Sequence, residues 1–398
     1  MTMHSKYLLI FFLVLFIPSF SHATKSTLTA NANFNSAMIH KQNREFSDAL
    51  ADIEQAIRYN PTMGYYQQKA FIHLSMVETA EAISTFQKAL RLFPNDPLYA
   101  ETMWLLGRTY LANGNAVEAE KRFNFFLKNS KLKKSPFRNN AIFRLAITYV
   151  LQNRWQEALD TLTENSVSTM AGLFWRAKIL YQLNRKPEAT ELFEKVIQSN
   201  PYDYYGILAA RHLNKPIIVP TSTEKWPIYF FDLFKQNAEV NDLDPFLLIS
   251  IAKSESNFVS DRISKAQAFG VMQLLRVTAA RFGYDCSLLD PECNIKIGAE
   301  YLKLLHDEIS FKFNPETEKH TLTFNFAAYN AGEDAVFGWI DKFNTFANTD
   351  IDLFVEFIPY GETRDYVKNT YANSIIYSLI YSELPYEQWC QNESNRTQ

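Results

Sequence analysis

A set of small, aromatic and proline positions recurs through the first half of this 398-residue chain, and no other feature constrains the fold as strongly. The clearest unit carries Ala70, Ala82, Phe86, Ala89 and Pro94. Shifted back by 33 residues, Ala37, Ala49, Ala56 and Pro61 stand at the matching places. Later copies carry Gly107, Tyr110, Ala119 and Phe123, then Ala146, Tyr149 and Ala158, then Ala177, Ala189, Phe193 and Pro201. The interval between units varies from 31 to 39 residues, which places the differences in the loops. Such a unit reads as a helix pair. Small residues sit where the two helices touch, an aromatic fills the hole beside them, and proline ends the second helix.

This pattern resembles the tetratricopeptide repeat, as about five degenerate units over residues 31–213. An irregular helical bundle with alanine-rich seams is the alternative, but it gives no reason for aromatic and proline positions to recur together. Composition agrees with a globular, helix-rich chain: 47% of residues are hydrophobic, and Gly and Pro number only 11 and 15. The formal net charge of −3 argues against a nucleic-acid partner, which would want a basic face.

The chain opens on "MTMHSKYLLIFFLVLFIPSFSHA". Lys6 supplies a positive n-region, Tyr7 to Phe16 an apolar h-region, and Ser21-His22-Ala23 a small-x-small cleavage site. A signal peptide over 1–23, cut after Ala23, is therefore expected. The apolar run is too short for a bilayer span, and no other segment is long and apolar enough, so no membrane anchor is expected after cleavage. Export brings oxidising conditions, under which Cys286 and Cys293 in "DCSLLDPEC" can bridge. Pairing of Cys390 with either of them stays open. The seven histidines are scattered with no HExxH and no Cys/His cluster, so neither a metal nor another cofactor is expected.

Three prolines between 216 and 227 mark a linker over 214–225, and a second block follows over 226–385, with a tail over 386–398. In "DPFLLISIAKSES", Asp244 is an N-cap and Pro245 the first helical residue. Helices are also expected over "ECNIKIGAEYLKLLHDEI", "HTLTFNFAAYN" and "ETRDYVKNTYANSIIYSLIYSEL", and any sheet should be small. Glu255 falls in the last turn of the Asp244 helix, at the negative end of its dipole and between the apolar Ile251 and Phe258. Both effects disfavour the carboxylate and raise its pKa, as a general acid near neutral pH requires.

Glu255-Ser256 is followed by Ser264, Ala268, Gly270, Met272, Gln273 and Thr278-Ala279, then by "AAYNAGEDAV" over 327–336 and "FIPYGETRDYV" over 357–367. These blocks, in this order, resemble the lysozyme-like catalytic domain of the soluble lytic transglycosylases, which cleave peptidoglycan. "YYGILAAR" near 204 is similar to the join between helical superhelix and catalytic domain in long members of that family. The fold so implied is mainly all-α: a tetratricopeptide-like solenoid followed by a lysozyme-like, predominantly helical domain. Glu255 matches the family's single catalytic acid. Ser264, Met272 and Gln273 match groove residues, Tyr329 and Asn330 the Tyr-Asn pair facing the acid, and Glu362 the acid that contacts the glycan. Gln267 and Arg276 depart from the pattern, standing where Gly and Pro are usual.

By this resemblance Glu255 protonates the oxygen between N-acetylmuramic acid and N-acetylglucosamine. It then takes a proton from the muramyl O6, which closes a 1,6-anhydro ring without water. A second catalytic carboxylate, needed by ordinary glycosidases, becomes dispensable. The rivals are a hydrolytic muramidase or chitinase on the same fold, and a glycan-binding envelope assembly module, against which an intact Glu255 argues. The implied partners are peptidoglycan glycan strands and, through the repeats, an envelope protein or a neighbouring domain. The implied compartment is the periplasm.

Overall fold

A computed structural model describes residues 25–382, apart from 44, 166, 314–317 and 347–349. The expected signal peptide, the C-terminal tail and Cys390 lie outside the described residues.

The first half is a row of antiparallel helix pairs: α1 (Lys25–Gln42) with α2 (Phe46–Tyr59), α3 (Met63–Ser75) with α4 (Thr79–Leu92), and α5 (Tyr99–Ala112) with α6 (Ala116–Lys128). α7 (Arg138–Leu151) with α8 (Trp155–Glu164) and α9 (Met170–Gln182) with α10 (Lys186–Ser199) continue it, and α11 (Tyr204–His212) closes it. The recurring alanines explain the pairing. Ala37, Ala49, Ala70, Ala82, Ala119, Ala146, Ala158 and Ala177 have no exposed surface. At Gly107 a Cβ would come within 2.7 Å of the Phe123 ring, so the missing side chain is what admits the aromatic plug. Phe86, Phe123 and Phe193 fill the equivalent holes, each almost fully buried. The turns inside the pairs need a left-handed residue, supplied by Gly114, Asn153 and Asn184, with Val77 tolerating the same conformation.

Beyond the irregular segment 213–226, the second half winds α12 (Phe231–Val240), α13 (Pro245–Glu255), α14 (Arg276–Ala279), α15 (Pro291–Phe313), α16 (Glu318–Ala331), α17 (Glu333–Asn344), α18 (Ile351–Phe357) and α19 (Gly361–Tyr381) into one apolar core. Asp244 caps α13 by accepting from the Phe246 amide at 2.8 Å, with Pro245 at the first helical position. The sheet is small: β1 (Ala268–Phe269) pairs antiparallel with β2 (Leu274–Leu275), Phe269 opposite Leu274. Cys286 and Cys293 form a disulfide that ties the loop before α15 to its first turn. α19 packs along both α13 and α16, so the helix carrying the Ile-Pro-x-x-Glu-Thr-Arg block reaches the end of α13.

The two halves meet along a polar seam. Lys178 of α9 lies 2.6 Å from Asp350 and 2.7 Å from Asp352 of α18. Arg144 of α7 donates to the Glu356 carbonyl and lies 3.6 Å from its carboxylate. Arg211 of α11 bonds the Tyr371 hydroxyl, and the Tyr360 hydroxyl donates to the Leu74 carbonyl at 3.3 Å. Gln42, at the end of α1, bonds the Lys265 carbonyl, so the first repeat touches the loop that follows α13. The repeats thus dock onto the second half of their own chain.

Candidate active site

Glu255 ends α13, half-buried, with Ser256 and Phe258 beneath it fully or almost fully covered. Ser256 donates from its hydroxyl to the Val271 carbonyl at 2.6 Å, which clamps the helix end to the turn that follows. Burial pushes the Glu255 carboxyl up to about 8. The charge of Glu362 adds to that shift, while the Tyr366 hydroxyl and Arg262 oppose it. The Tyr366 hydroxyl is buried and faces Glu255, yet it lies outside normal hydrogen-bond geometry to any described partner. It stands ready to donate.

The turn over residues 268–273 is built around Gly270 and Asn294. Gly270 has φ +77°, and a Cβ there would come within 2.3 Å of the Leu288 carbonyl oxygen and 2.5 Å of the Asn294 amide. Only glycine fits both the dihedral and the space. Fully buried Asn294, near the start of α15, accepts from the Met272 amide at 2.7 Å and donates to the carbonyls of Phe269 and Leu288 at 2.9 and 2.8 Å. Tyr329 of α16 donates its hydroxyl to the Met272 carbonyl at 3.0 Å. Asn330 accepts from Thr363 of α19 at 2.7 Å.

These bonds bring Glu255, Tyr329, Asn330, Glu362 and the 268–273 turn together, from four separate stretches of sequence. Glu362 is exposed in the first turn of α19. Ser264 accepts from the Ala268 amide at 3.0 Å and so shapes the loop before the turn. One of the expected groove residues is placed differently. Met272 does not line the groove: it is fully buried, its sulfur seated over Gly298 of α15, because the Asn294 and Tyr329 bonds hold its backbone inward. The Gln273 amide nitrogen donates to the carbonyls of Arg262 and Gly270, at 3.1 and 2.9 Å, and braces the loop. Gln267 adopts φ +58°, the left-handed conformation for which glycine is usual. Arg276 opens α14, a first helical position where proline is also at home, and stacks 4.5 Å over Phe269.

Tyr366, Arg262 and Asn294 are site residues that the sequence did not single out. Tyr366 was findable, since it lies four residues after Glu362 and thus on the same helix face. Asn294 offered only the weaker signal of a polar residue on an apolar helix face.

Residues 232–351 match the family model of the transglycosylase SLT domain, and 30–63, 63–124, 105–164 and 143–204 match models of the tetratricopeptide repeat. The chain carries an SLT domain behind tetratricopeptide repeats. The soluble lytic murein transglycosylase of Escherichia coli strain K12 is 33% identical over 171 residues, 41% of this chain and 25% of that protein. Its Salmonella typhimurium counterpart is 32% identical over 163 residues, 39% of this chain and 24% of that one. The matched stretch therefore spans about a quarter of these curated relatives' length. An X-ray structure of lytic transglycosylase Slt from Pseudomonas aeruginosa superposes with a TM-score of 0.59 at 18% identity, covering 90% of this chain and 74% of that one. That likeness extends the shared fold across repeats and SLT domain together. The SLT match itself ends before α19, so Glu362 and Tyr366 rest on the geometry above.

Proposed function

We propose that this protein is a peptidoglycan lytic transglycosylase. It cleaves the β-1,4 bond between N-acetylmuramic acid and N-acetylglucosamine and leaves 1,6-anhydro-muramic ends. The observation that carries the reading is Glu255 itself, a half-buried carboxyl raised to about 8 at the end of α13. At neutral pH it holds the proton that a leaving glycosidic oxygen needs. Once that proton has gone, Glu255 is a carboxylate in a site that disfavours charge, and so a competent base for the muramyl O6 hydroxyl. The attack is intramolecular, and its high effective molarity removes the need for a second catalytic carboxylate. Tyr366 faces the acid through both steps and is suited to hold its carboxyl in orientation. Glu362, exposed at the α19 terminus, serves to position sugar.

Export to the periplasm fits the sequence of the leader, the curated relatives' names and the Cys286–Cys293 disulfide, a bond of oxidising compartments. Among the described residues, no helix is long and apolar enough to cross a membrane.

The test is mass spectrometry of sugars released when residues 24–398 meet peptidoglycan sacculi. Muropeptides one water lighter than hydrolytic products establish the transglycosylase. Reducing ends replace it with a muramidase, and binding without release replaces it with a glycan-binding module.

A further inference from the structure

Helix α18 carries two buried carboxylates into the seam, Asp352 and Glu356, about one helical turn apart. Both are met in the same way. Asp352 takes Lys319 from α16, the Tyr204 hydroxyl at 3.2 Å, and Lys178 of α9 at 2.7 Å. Glu356 takes Lys368 from α19 at 2.7 Å, the Tyr205 hydroxyl at 2.6 Å, and Arg144 of α7, 3.6 Å from its second oxygen. Each carboxylate therefore joins one lysine of the SLT domain, one tyrosine of α11 and one cation of the repeat helices. Lys368 also donates to the Tyr205 hydroxyl at 2.6 Å, which closes a triangle of hydrogen bonds on Glu356. Burial alone would raise the Glu356 carboxyl, but Lys368 and Arg144 outweigh it and hold it down to about 2.

The two lysines come from the two helices that wall the acid site. α16 begins at this seam with Lys319 and ends at Tyr329 and Asn330, about 15 Å further along. α19 runs antiparallel to it, with Thr363 bonded to Asn330 at one end and the Tyr371 ring beneath Lys319 at the other. Lys368 follows Tyr366 by two residues, so it leaves α19 on roughly the face opposite the acid. Tyr204 packs edge-on against Tyr371, with 5.6 Å between ring centres, and Tyr205 packs on Phe174 of α9 at 5.3 Å, which fixes both rings. A close-packed, hydrogen-bonded seam of this kind passes a displacement on to its neighbours instead of absorbing it.

We propose that Tyr205, with Tyr204 beside it, is a positioning residue for the reaction: through Glu356 and Lys368 it sets where α19 presents Tyr366 and Glu362 to Glu255. The assignment rests on Glu255 being the acid of the reading above, and it makes the repeats part of the catalytic scaffold. Both tyrosines are buried in the seam, so they act on geometry and not on substrate. A displacement of about 1 Å at reacting groups can cost up to about a hundredfold in rate.

The test is Tyr205→Phe in the full chain, which removes one hydroxyl and keeps the ring and its packing. On soluble, uncross-linked peptidoglycan strands, kcat should fall about fivefold to twentyfold while KM stays within about twofold. Glu255 is faced by Tyr366 and Glu362 of α19, Tyr329 of α16 and Arg262 of the loop after α13. When α19 shifts, water enters and burial weakens, so a carbon-13 titration of the Glu255 carboxyl should move down from about 8. Phe123→Leu, at the plug against Gly107 and outside both junctions, is the stability control. It should lower the melting temperature and leave kcat and the titration as in wild type. Wild-type kcat and titration in Tyr205→Phe would overturn the proposal, as would the same losses in Phe123→Leu at an equal drop in melting temperature. Tyr204→Phe, which cuts the link to Asp352, decides by the same readouts if Tyr205→Phe folds poorly. Turnover is counted as glycan cuts whatever ends form, and the titration needs no turnover, so the two readings fail separately. Reducing ends with a lowered kcat in Tyr205→Phe sink the transglycosylase alone, and anhydro ends with unchanged kcat and titration sink the positioning role alone.

Discussion

Lys178 of the repeats donates to Asp352 of the SLT domain at 2.7 Å, a buried bond between residues 174 positions apart. Asp352 also receives Lys319 and, at 3.2 Å, the Tyr204 hydroxyl. Burial alone would raise its carboxyl, but Lys178 and Lys319 outweigh burial and hold it well below the usual range. Asp352→Asn leaves Lys319 facing a neutral group in a desolvated seam and Lys178 with Asp350 alone, and should cost about 3–5 kcal/mol in denaturant melts. The pH sign follows from the depressed carboxyl. Its stabilisation is complete above the ordinary carboxylate pKa and is lost as pH falls below it. Unchanged melting of Asp352→Asn at pH 7 would show that the halves are held by other contacts.

Glu255 has the opposite linkage. Its carboxyl is raised, so the folded protein holds a proton that the unfolded chain releases, and wild-type stability falls as pH climbs from about 4.5 towards 8. Glu255→Gln should therefore melt above wild type at pH 8, by about 1–3 kcal/mol after discounting for partial exposure, and equally with it near pH 4. The same variant should lose activity on sacculi, and wild-type activity should decline as pH rises through about 8. Wild-type rates in Glu255→Gln would remove this residue from the mechanism.

Gly270→Ala places a methyl 2.3 Å from the Leu288 carbonyl at a backbone angle that alanine resists. Strain and overpacking together should cost about 2–4 kcal/mol. Because the turn carries Met272 and Gln273 beside the acid, turnover should fall further than substrate binding does. Crystals or spectra showing an undisturbed turn would contradict the account of its packing.

Reducing the Cys286–Cys293 disulfide opens a short loop and should cost about 2–3 kcal/mol, with the entropic share predominating in the unfolded chain. The loop also supplies the Leu288 carbonyl to Asn294, so hydrogen exchange at the Met272 amide should quicken on reduction. Equal protection in both redox states would confine the bridge to a purely local role.

Much of the architecture was legible because its causes are local and periodic. The recurring alanines and phenylalanines marked helix pairs, and the positions named from spacing became the buried contacts of those pairs. Asp244 and Pro245 announced the start of α13, and its length placed Glu255 at its end. Helix α18 was not foreseen, since seven residues of mixed acids and apolars show too little period to read. Met272 was read as facing sugar, and packing turned it into the core.

By itself, then, the sequence determined the repeats, the order of the blocks and the acid, through side-chain size, caps and spacing that act within a few turns of chain. Only the tertiary structure decided that α7, α9 and α11 dock onto α18 and α19, and that Tyr366 faces Glu255. Those relationships join residues far apart along the chain, and neither the burial of a carboxyl nor its pairing with a lysine exists until the pieces that bury or neutralise it have packed.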